Sequence, residues 1–534
     1  MRRRRSLAIA GLVLLPLAAG AFVVQERAAL SSARLFDQVL SLVGDSFVDS
    51  IGTHELYERA ARGLVAQLND PYSELYTPKQ LEAFNTSTGG FYGGVGMLIE
   101  EHEGAIIVKQ VYPHTPAEEA GIREGDRIVG VDTSSTRGWR LDQVSGGLRG
   151  VPGTKVKARF ARPGVPQSFE VEFTRRTIRI PAIPFALNVD GRIGYIPVQQ
   201  FNETTTREFA DAYRRLQAEG VTGLVVDLRG NSGGFLDQAL AMTNYFIPRG
   251  REIASVRGRA GAIERYVAES SPIAPDIPLV ILTDGYSASA SEIVAGALQD
   301  HDRAIVVGTT SFGKGLVQSV YRLDGGYAIK LTTGKWYTPS GRSIQKERAL
   351  DSNGRFVEVV PDSLETDAVR GGRPLFRSLG GRPVYGGGAI TPDVIVPYDT
   401  LTSAEQKLAR ALVPRSQDVY LALYDYAFGL RNEVRPDFEV TAAMREEFRT
   451  RLVAKGVTVD RSDWDAGGLY IDRLLLNRIA RHAFGDSTAK RREIPEDVQL
   501  RKAMDLLRRG PTTADLLAIA APTTAPDASA RRPD

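Results

Sequence analysis

Three segments of the 534-residue chain carry side chains that could do covalent chemistry. Asp284-Gly285-Tyr286-Ser287-Ala288-Ser289-Ala290-Ser291-Glu292-Ile293 sets three hydroxyls among small residues, where an apolar run gives way to a helical pattern. A serine at a helix N-terminus sits in positive potential, which favours its alkoxide and an adjacent oxyanion. Ser289-Ala290-Ser291-Glu292 also fits a capping box, in which the hydroxyl only satisfies end amides; the two readings are compatible. Asp227-Leu228-Arg229-Gly230-Asn231-Ser232-Gly233-Gly234 leaves a strand through a glycine-rich turn that can aim backbone N–H groups at a developing anion. Such turns also hold phosphates or merely turn the chain. The third segment, Gly308-Thr309-Thr310-Ser311-Phe312-Gly313-Lys314, spells the GxxxxGK of a phosphate-binding loop. That loop needs Ser or Thr after the lysine and a helix beginning there. Gly315 and the β-branched, alternating run Leu316–Tyr321 stand in those places, which disfavours nucleotide binding.

A serine nucleophile needs a base. His301, the histidine nearest in sequence, sits in a charged helix end (Asp300-His301-Asp302-Arg303), and no acid–histidine pair completes a triad. A neutral lysine can replace histidine. Its ordinary pKa of about 10.4 must drop by roughly three, about 4 kcal/mol of differential solvation, which apolar burial can supply. Lys314 lies between two glycines and is flanked by Phe312, Leu316 and Val317.

These segments must be positioned by the strand–helix alternation between Gly191 and about Pro397. Ile193–Val198, Gly223–Leu228, Leu279–Leu282 and Ala304–Val307 read as buried strands. Thr204–Glu219, Leu236–Phe246 and Ser291–Gln299 read as helices, an α/β layer with a partly parallel sheet. Upstream, Gly104–Val111, Asp126–Val131, Lys155–Phe160 and Ser168–Phe173 are short β-rich runs between Gly, Pro and Asp. Gly94-Val95-Gly96-Met97 precedes the first of them. Its glycines let N–H groups converge on a chain-terminal carboxylate, unless they only form a bulge in a hairpin.

With Thr115-Pro116-Ala117, Ala120-Gly121 and Gly125-Asp126 downstream, this stretch resembles a PDZ domain. Ser287–Glu292, Phe312-Gly313-Lys314-Gly315 and Gln318 resemble the C-terminal processing peptidases, also called tail-specific proteases. Asp70-Pro71-Tyr72-Ser73, Gly194-Tyr195-Ile196 and Ile390-Thr391-Pro392-Asp393-Val394 fit the same family. The resemblance implies Ser289 as nucleophile, Lys314 as general base and Gln318 as the residue that orients the lysine amine. It implies an oxyanion hole from the N–H groups of Gly233 and Ala290, and a substrate carboxylate held by the amides of Val95, Gly96 and Met97. The implied fold is α/β, a crotonase- and Clp-like β-β-α serine protease core with an inserted PDZ domain and helical N- and C-terminal regions. The implied function is an exported serine endopeptidase that recognises the C-termini of protein or peptide substrates. The alternative is a catalytically silent PDZ scaffold binding protein C-termini. Gly230 departs from the family, where Asn is frequent, and no motif is assigned beyond residue 400.

Composition narrows the chemistry further. Net charge is +3 from 67 basic and 64 acidic residues, so nothing points to nucleic acid as a partner. The absence of cysteine excludes disulfides, Cys-ligated zinc, iron–sulfur clusters and thiol catalysis. Five scattered histidines without an HExxH pattern give no support for a metal, and no cofactor is implied. Arg2 to Arg5 and the apolar run Leu7–Val24 predict a signal peptide or membrane anchor over 1–25. The expected location is then the bacterial periplasm, soluble or anchored to the inner membrane. The expected regions are a helical stretch over 26–88, PDZ over 89–176, protease core over 177–400, helices over 401–510 and a disordered tail over 511–534. A homo-oligomer or an adaptor stays open.

Overall fold

The computed structural model describes residues 33–520, except 103, 163, 260, 351–355, 359–371 and 399–400. The expected export segment, 1–25, therefore lies outside the described residues. Among the described residues, no helix is long and apolar enough to cross a membrane. The chain divides into two compact units.

The smaller unit joins the chain up to Leu81 with Gln318–Thr332. It holds helices over 33–46 and Thr53–Ala66. Glu74–Tyr76 pairs antiparallel with Ala328–Lys330. The Asp70-Pro71-Tyr72-Ser73 turn is closed by the Ser73 hydroxyl donating to Asp70 at 2.6 Å, while the same oxygen accepts the Thr332 N–H at 3.1 Å.

In the larger unit, six strands run in the order Leu187–Val189, Ile193–Pro197, Gly223–Asp227, Leu279–Thr283, Ile305–Gly308 and Val394–Ile395. All pairs are parallel except the first. The central strands are continuous Val/Ile/Leu runs because both faces of the sheet are covered. Successive side chains point to opposite faces, so one row, Ile196, Val226, Ile281 and Val306, joins the core under helices Thr205–Ala218, Leu236–Asn244 and Ala290–Asp300. The alternate row, Tyr195, Val225, Val280 and Ile305, meets Leu500, Leu507 and Leu516 from helices Val498–Arg509 and Thr513–Ala520. The expected disorder over 511–534 is thus corrected for 511–520, and its remainder lies outside the described residues. Thr513–Ala520 is helical because Leu516, fully buried, and Leu517 and Ile519 give an Ala- and Thr-rich segment an apolar face for the sheet.

The β-rich module is a five-strand antiparallel sheet in the order Met97–His102, Ala105–Val111, Arg127–Val131, Lys155–Ala161 and Phe169–Thr174, with Ser134–Ser135 added beside the third. Val108, Val144 and Phe160 fill its core. The incoming strand Phe91–Gly94 pairs with the outgoing strand Arg176–Arg179, so the module leaves and rejoins the core at one place.

Helices Ser403–Leu412, Ser416–Leu430, Ala442–Ala454, Arg461–Ala466 and Gly468–Glu493 surround a separate core containing Phe448, Trp464 and Leu475. The module rests on them. The Arg123 guanidinium lies 5.1 Å from the Phe428 ring centre, and Glu124 faces Arg478 at 3.7 Å and His482 at 3.9 Å. Burial pushes the Glu124 carboxyl up to about 7 and the His482 imidazole down to about 4. An acid whose folded pKa exceeds its unfolded one costs stability as pH rises between the two values. Glu124→Gln should therefore melt higher than wild type at pH 8 and together with it near pH 4. Paired melting curves at the two pH values check this, since the His482 titration is common to both proteins.

Candidate active site

The turns 227–234, 284–290 and 308–315 leave the C-terminal ends of three adjacent parallel strands, the edge where open α/β sheets assemble sites. Asp284 caps the serine turn, accepting the N–H groups of Tyr286 at 2.9 Å and Ser287 at 3.0 Å, and it reaches across to the Gly230 N–H at 3.0 Å. The three hydroxyls then part company. Ser287, fully buried, donates to the Leu228 carbonyl at 2.8 Å, and Ser291, also buried, donates to the Asn231 carbonyl at 2.9 Å. Ser289 is half-buried and held at φ 55°, ψ −111°. A non-glycine residue there costs about 1–3 kcal/mol and persists only where its surroundings enforce it, a recurrent mark of functional positions.

The Glu292 N–H donates to the Ser289 carbonyl at 2.9 Å. Ala290 opens the helix, so its N–H has no carbonyl within the helix to bond.

Glu292 carries the other half of the capping motif and more. Its Oε2 accepts the Ser289 N–H at 2.7 Å and the Lys314 N–H at 2.9 Å. Its Oε1 accepts the Gly313 N–H and the Ser311 hydroxyl, each at 2.6 Å. The Ser311 oxygen in turn accepts the Ile390 N–H at 2.8 Å, which directs its proton to Glu292. Burial raises the carboxyl's pKa, while its four donors oppose that rise. One buried oxygen thus ties the backbone of Ser289 to that of Lys314. The sequence motif located the reach back to Ser289, but no local spacing announces a bond to a turn 22 residues on.

The lysine turn is held from outside as well. Phe312 N–H donates to the Ser287 carbonyl at 3.0 Å, and Trp336 Nε1 donates to the Lys314 carbonyl at 3.0 Å. Arg348 covers the Phe312 ring at 4.1 Å and donates to the Phe312 carbonyl at 2.6 Å. Gly313 has φ +82°, and a Cβ on it would lie 2.5 Å from Lys346 Cγ. Lys314 itself is half-buried. The following residues, Leu316–Arg322, form a strand, so the helix that a phosphate loop requires is missing.

Gly233 backs directly onto the serine. At φ +102°, a Cβ would sit 2.8 Å from the Ala288 carbonyl oxygen and 3.0 Å from Ser289 Cβ. Its N–H, expected to face an oxyanion, donates here to Asn231 Oδ1 at 2.8 Å, and Asn231 Nδ2 is anchored on the Val198 carbonyl at 2.7 Å. Gly230 has φ +71°, a left-handed conformation that Asn also tolerates.

In the β-rich module, Gly96 has φ +92°, with a Cβ position 2.2 Å from Thr115 Cβ. The Val95 carbonyl accepts the Ala117 N–H at 2.8 Å, and the Gly96 carbonyl accepts the Tyr112 N–H at 2.9 Å. Met97 starts the edge strand Met97–His102, beside helix Leu141–Leu148. Gln318 belongs to the smaller unit, where its Nε2 donates to Thr332 Oγ1 at 3.4 Å. His301 Nε2 bonds the Glu252 carbonyl at 2.7 Å, a structural use of the ring at the helix end.

Residues 192–354 match the family model of peptidase family S41, and residues 107–162 that of a PDZ domain. Over 315 residues the chain is 37% identical to a carboxy-terminal-processing protease of Bartonella bacilliformis, covering 58% of this chain and 72% of that protein. Over 293 residues it is 36% identical to carboxy-terminal processing protease CtpA of Bacillus subtilis, covering 55% of this chain and 62% of CtpA, a little under two thirds of that relative. A solved photosystem II D1 C-terminal processing protease shares 27% identity over 71% of this chain and 90% of its own, with a TM-score of 0.38.

Glu292→Gln sets an amide NH2 against one of the two donor pairs. Leaving buried donors unpaired costs about 1–3 kcal/mol each. The substitution should lower the unfolding free energy of the folded chain by about 2–6 kcal/mol, measured by urea denaturation.

Proposed function

From its membership of peptidase family S41, to which this chain belongs, and its PDZ module, we propose that it is an exported serine endopeptidase that cleaves proteins presented by their C-termini, in the periplasm, either soluble or held at the inner membrane. The observation that carries the reading is the shared Glu292 oxygen, which supports a nucleophile at Ser289 and a base at Lys314 by fixing both backbones on one acceptor.

The substrate's terminal carboxylate is received by the amides of Val95, Gly96 and Met97, and its backbone pairs with the edge strand Met97–His102. Further along the substrate, Ser289 Oγ attacks a peptide carbonyl carbon while its proton passes to the neutral Lys314 amine. The negative charge on the former carbonyl oxygen is met by the Ala290 N–H and by the Gly233 N–H once that group turns from Asn231. Collapse expels the amine, which takes the proton from Lys314 and leaves an ester on Ser289. Water, deprotonated by Lys314, hydrolyses that ester and restores the site. General-base help supplies about 10²–10⁴-fold and each oxyanion donor about 10²–10³-fold. No metal or cofactor enters these steps.

One observation favours the second reading, a silent scaffold that binds C-termini: the Gly233 N–H is spent on Asn231, which leaves the hole one donor short. A peptide assay separates the two. Ser289→Ala should abolish cleavage and Lys314→Ala should lower it by about 10²–10⁴-fold, both with peptide binding retained. Amidating the substrate's C-terminus should raise KM. Wild-type protein that binds the tail without cutting it establishes the scaffold, and cleavage by Ser289→Ala at the normal rate rejects the nucleophile. Cleavage indifferent to amidation rejects carboxylate capture alone.

A further inference from the structure

We propose that Asp497, from the helical region beyond the S41 match, is a positioning residue for the oxyanion turn, so that the C-terminal helices complete the active site. The matched family segment ends at residue 354, and the sequence beyond 400 carries no motif. Yet the half-buried Arg229, the third residue of the turn, is shared between the two regions. Its Nε and Nη2 donate to Asp227 at 2.9 and 2.6 Å. Its Nη1 and Nη2 donate as a fork to Asp497 at 2.9 and 2.8 Å, and Nη1 also reaches Gln499 Oε1 at 2.9 Å. Every guanidinium donor is thereby used. A planar fork held at both ends cannot rotate, and it fixes the backbone that carries it.

The far end of the clamp is rigid as well. Asp497 caps helix Val498–Arg509 through the Leu500 N–H at 2.9 Å and receives Lys490 Nζ at 2.8 Å. Gln499 donates to the Val396 carbonyl at 2.8 Å. The side chains of Asp497 and Arg229 are 8% and 15% exposed, so water competes weakly for the pair. Burial alone would raise the Asp497 pKa, but Arg229 and Lys490 hold it well below the usual carboxylate range. From Arg229 the turn continues to Leu228 and Asn231, whose carbonyls receive Ser287 and Ser291, and to Gly233, which abuts Ser289. Asp497 acts on the reacting atoms only through this chain of contacts.

The test uses the full chain. Asp497→Ser keeps a good helix cap and removes the arginine's partner. Gln499→Ala removes one acceptor and leaves the cap intact, so it serves if Asp497→Ser does not fold. Two readouts are taken: cleavage of a peptide with a free C-terminus, and amide hydrogen exchange of residues 228–235. The expected result is a kcat lower by about 10–100-fold for Asp497→Ser, and by less for Gln499→Ala, with KM unchanged. Exchange in 228–235 should be about tenfold faster in the folded variants. The kinetic readout rests on the peptidase reading, and the exchange readout does not. If wild type never cleaves but the segment loosens, the peptidase reading fails and the clamp stands. If kcat and exchange both match wild type, or only the melting temperature falls, the clamp is rejected.

Discussion

A single buried carboxylate organises this site. Four donors converge on Glu292 from the serine turn and the lysine turn, and none of them is a side-chain cation. A carboxyl group deep in a protein is costly to desolvate unless donors are already aimed at it, and here burial raises its pKa while four donors oppose the rise. The geometry of both turns follows from meeting that requirement. Ser289 accepts an unfavourable backbone conformation, and Gly313 takes a position that a Cβ could not occupy beside Lys346. Strain at one residue is balanced by hydrogen bonds at several others.

The sheet makes such convergence available. Parallel strands deliver successive turns to one edge, and the helices that return the chain to the opposite end cover a face of the sheet. Residues 58 apart in sequence, Asn231 and Ser289, are thereby brought together through the Ala288 N–H on the Asn231 carbonyl at 3.0 Å. The second face of the sheet is covered by helices that lie beyond the matched family segment. The core of this protein therefore includes residues 498–520 as fully as it includes the central strands.

Much of the layout was legible in the sequence because it is local. The central strands and helices fall within a residue or two of their hydrophobic periods, and the lysine turn was separable from a phosphate loop by the strand after it. What escaped was long-range. The second pair of bonds to Glu292, the Asp497 fork on Arg229 and the engagement of Gly233 by Asn231 each join groups whose type is ordinary and whose partners no period indicates. The helix Thr513–Ala520 was hidden by composition, since its Ala and Thr content masks the few large side chains that dock it. Among Ser287, Ser289 and Ser291 the residue types alone do not tell that Ser287 and Ser291 are buried and donate to the carbonyls of Leu228 and Asn231.

The paired strands at the base of the β-rich module have a broader meaning. Phe91–Gly94 and Arg176–Arg179 run side by side, so the polypeptide departs from the core and comes back at neighbouring points. To the host, everything between them is a cassette of arbitrary length, because closing the gap requires no particular span. Lengthening or replacing the sheet between those two strands would therefore leave both ends of the host where they are.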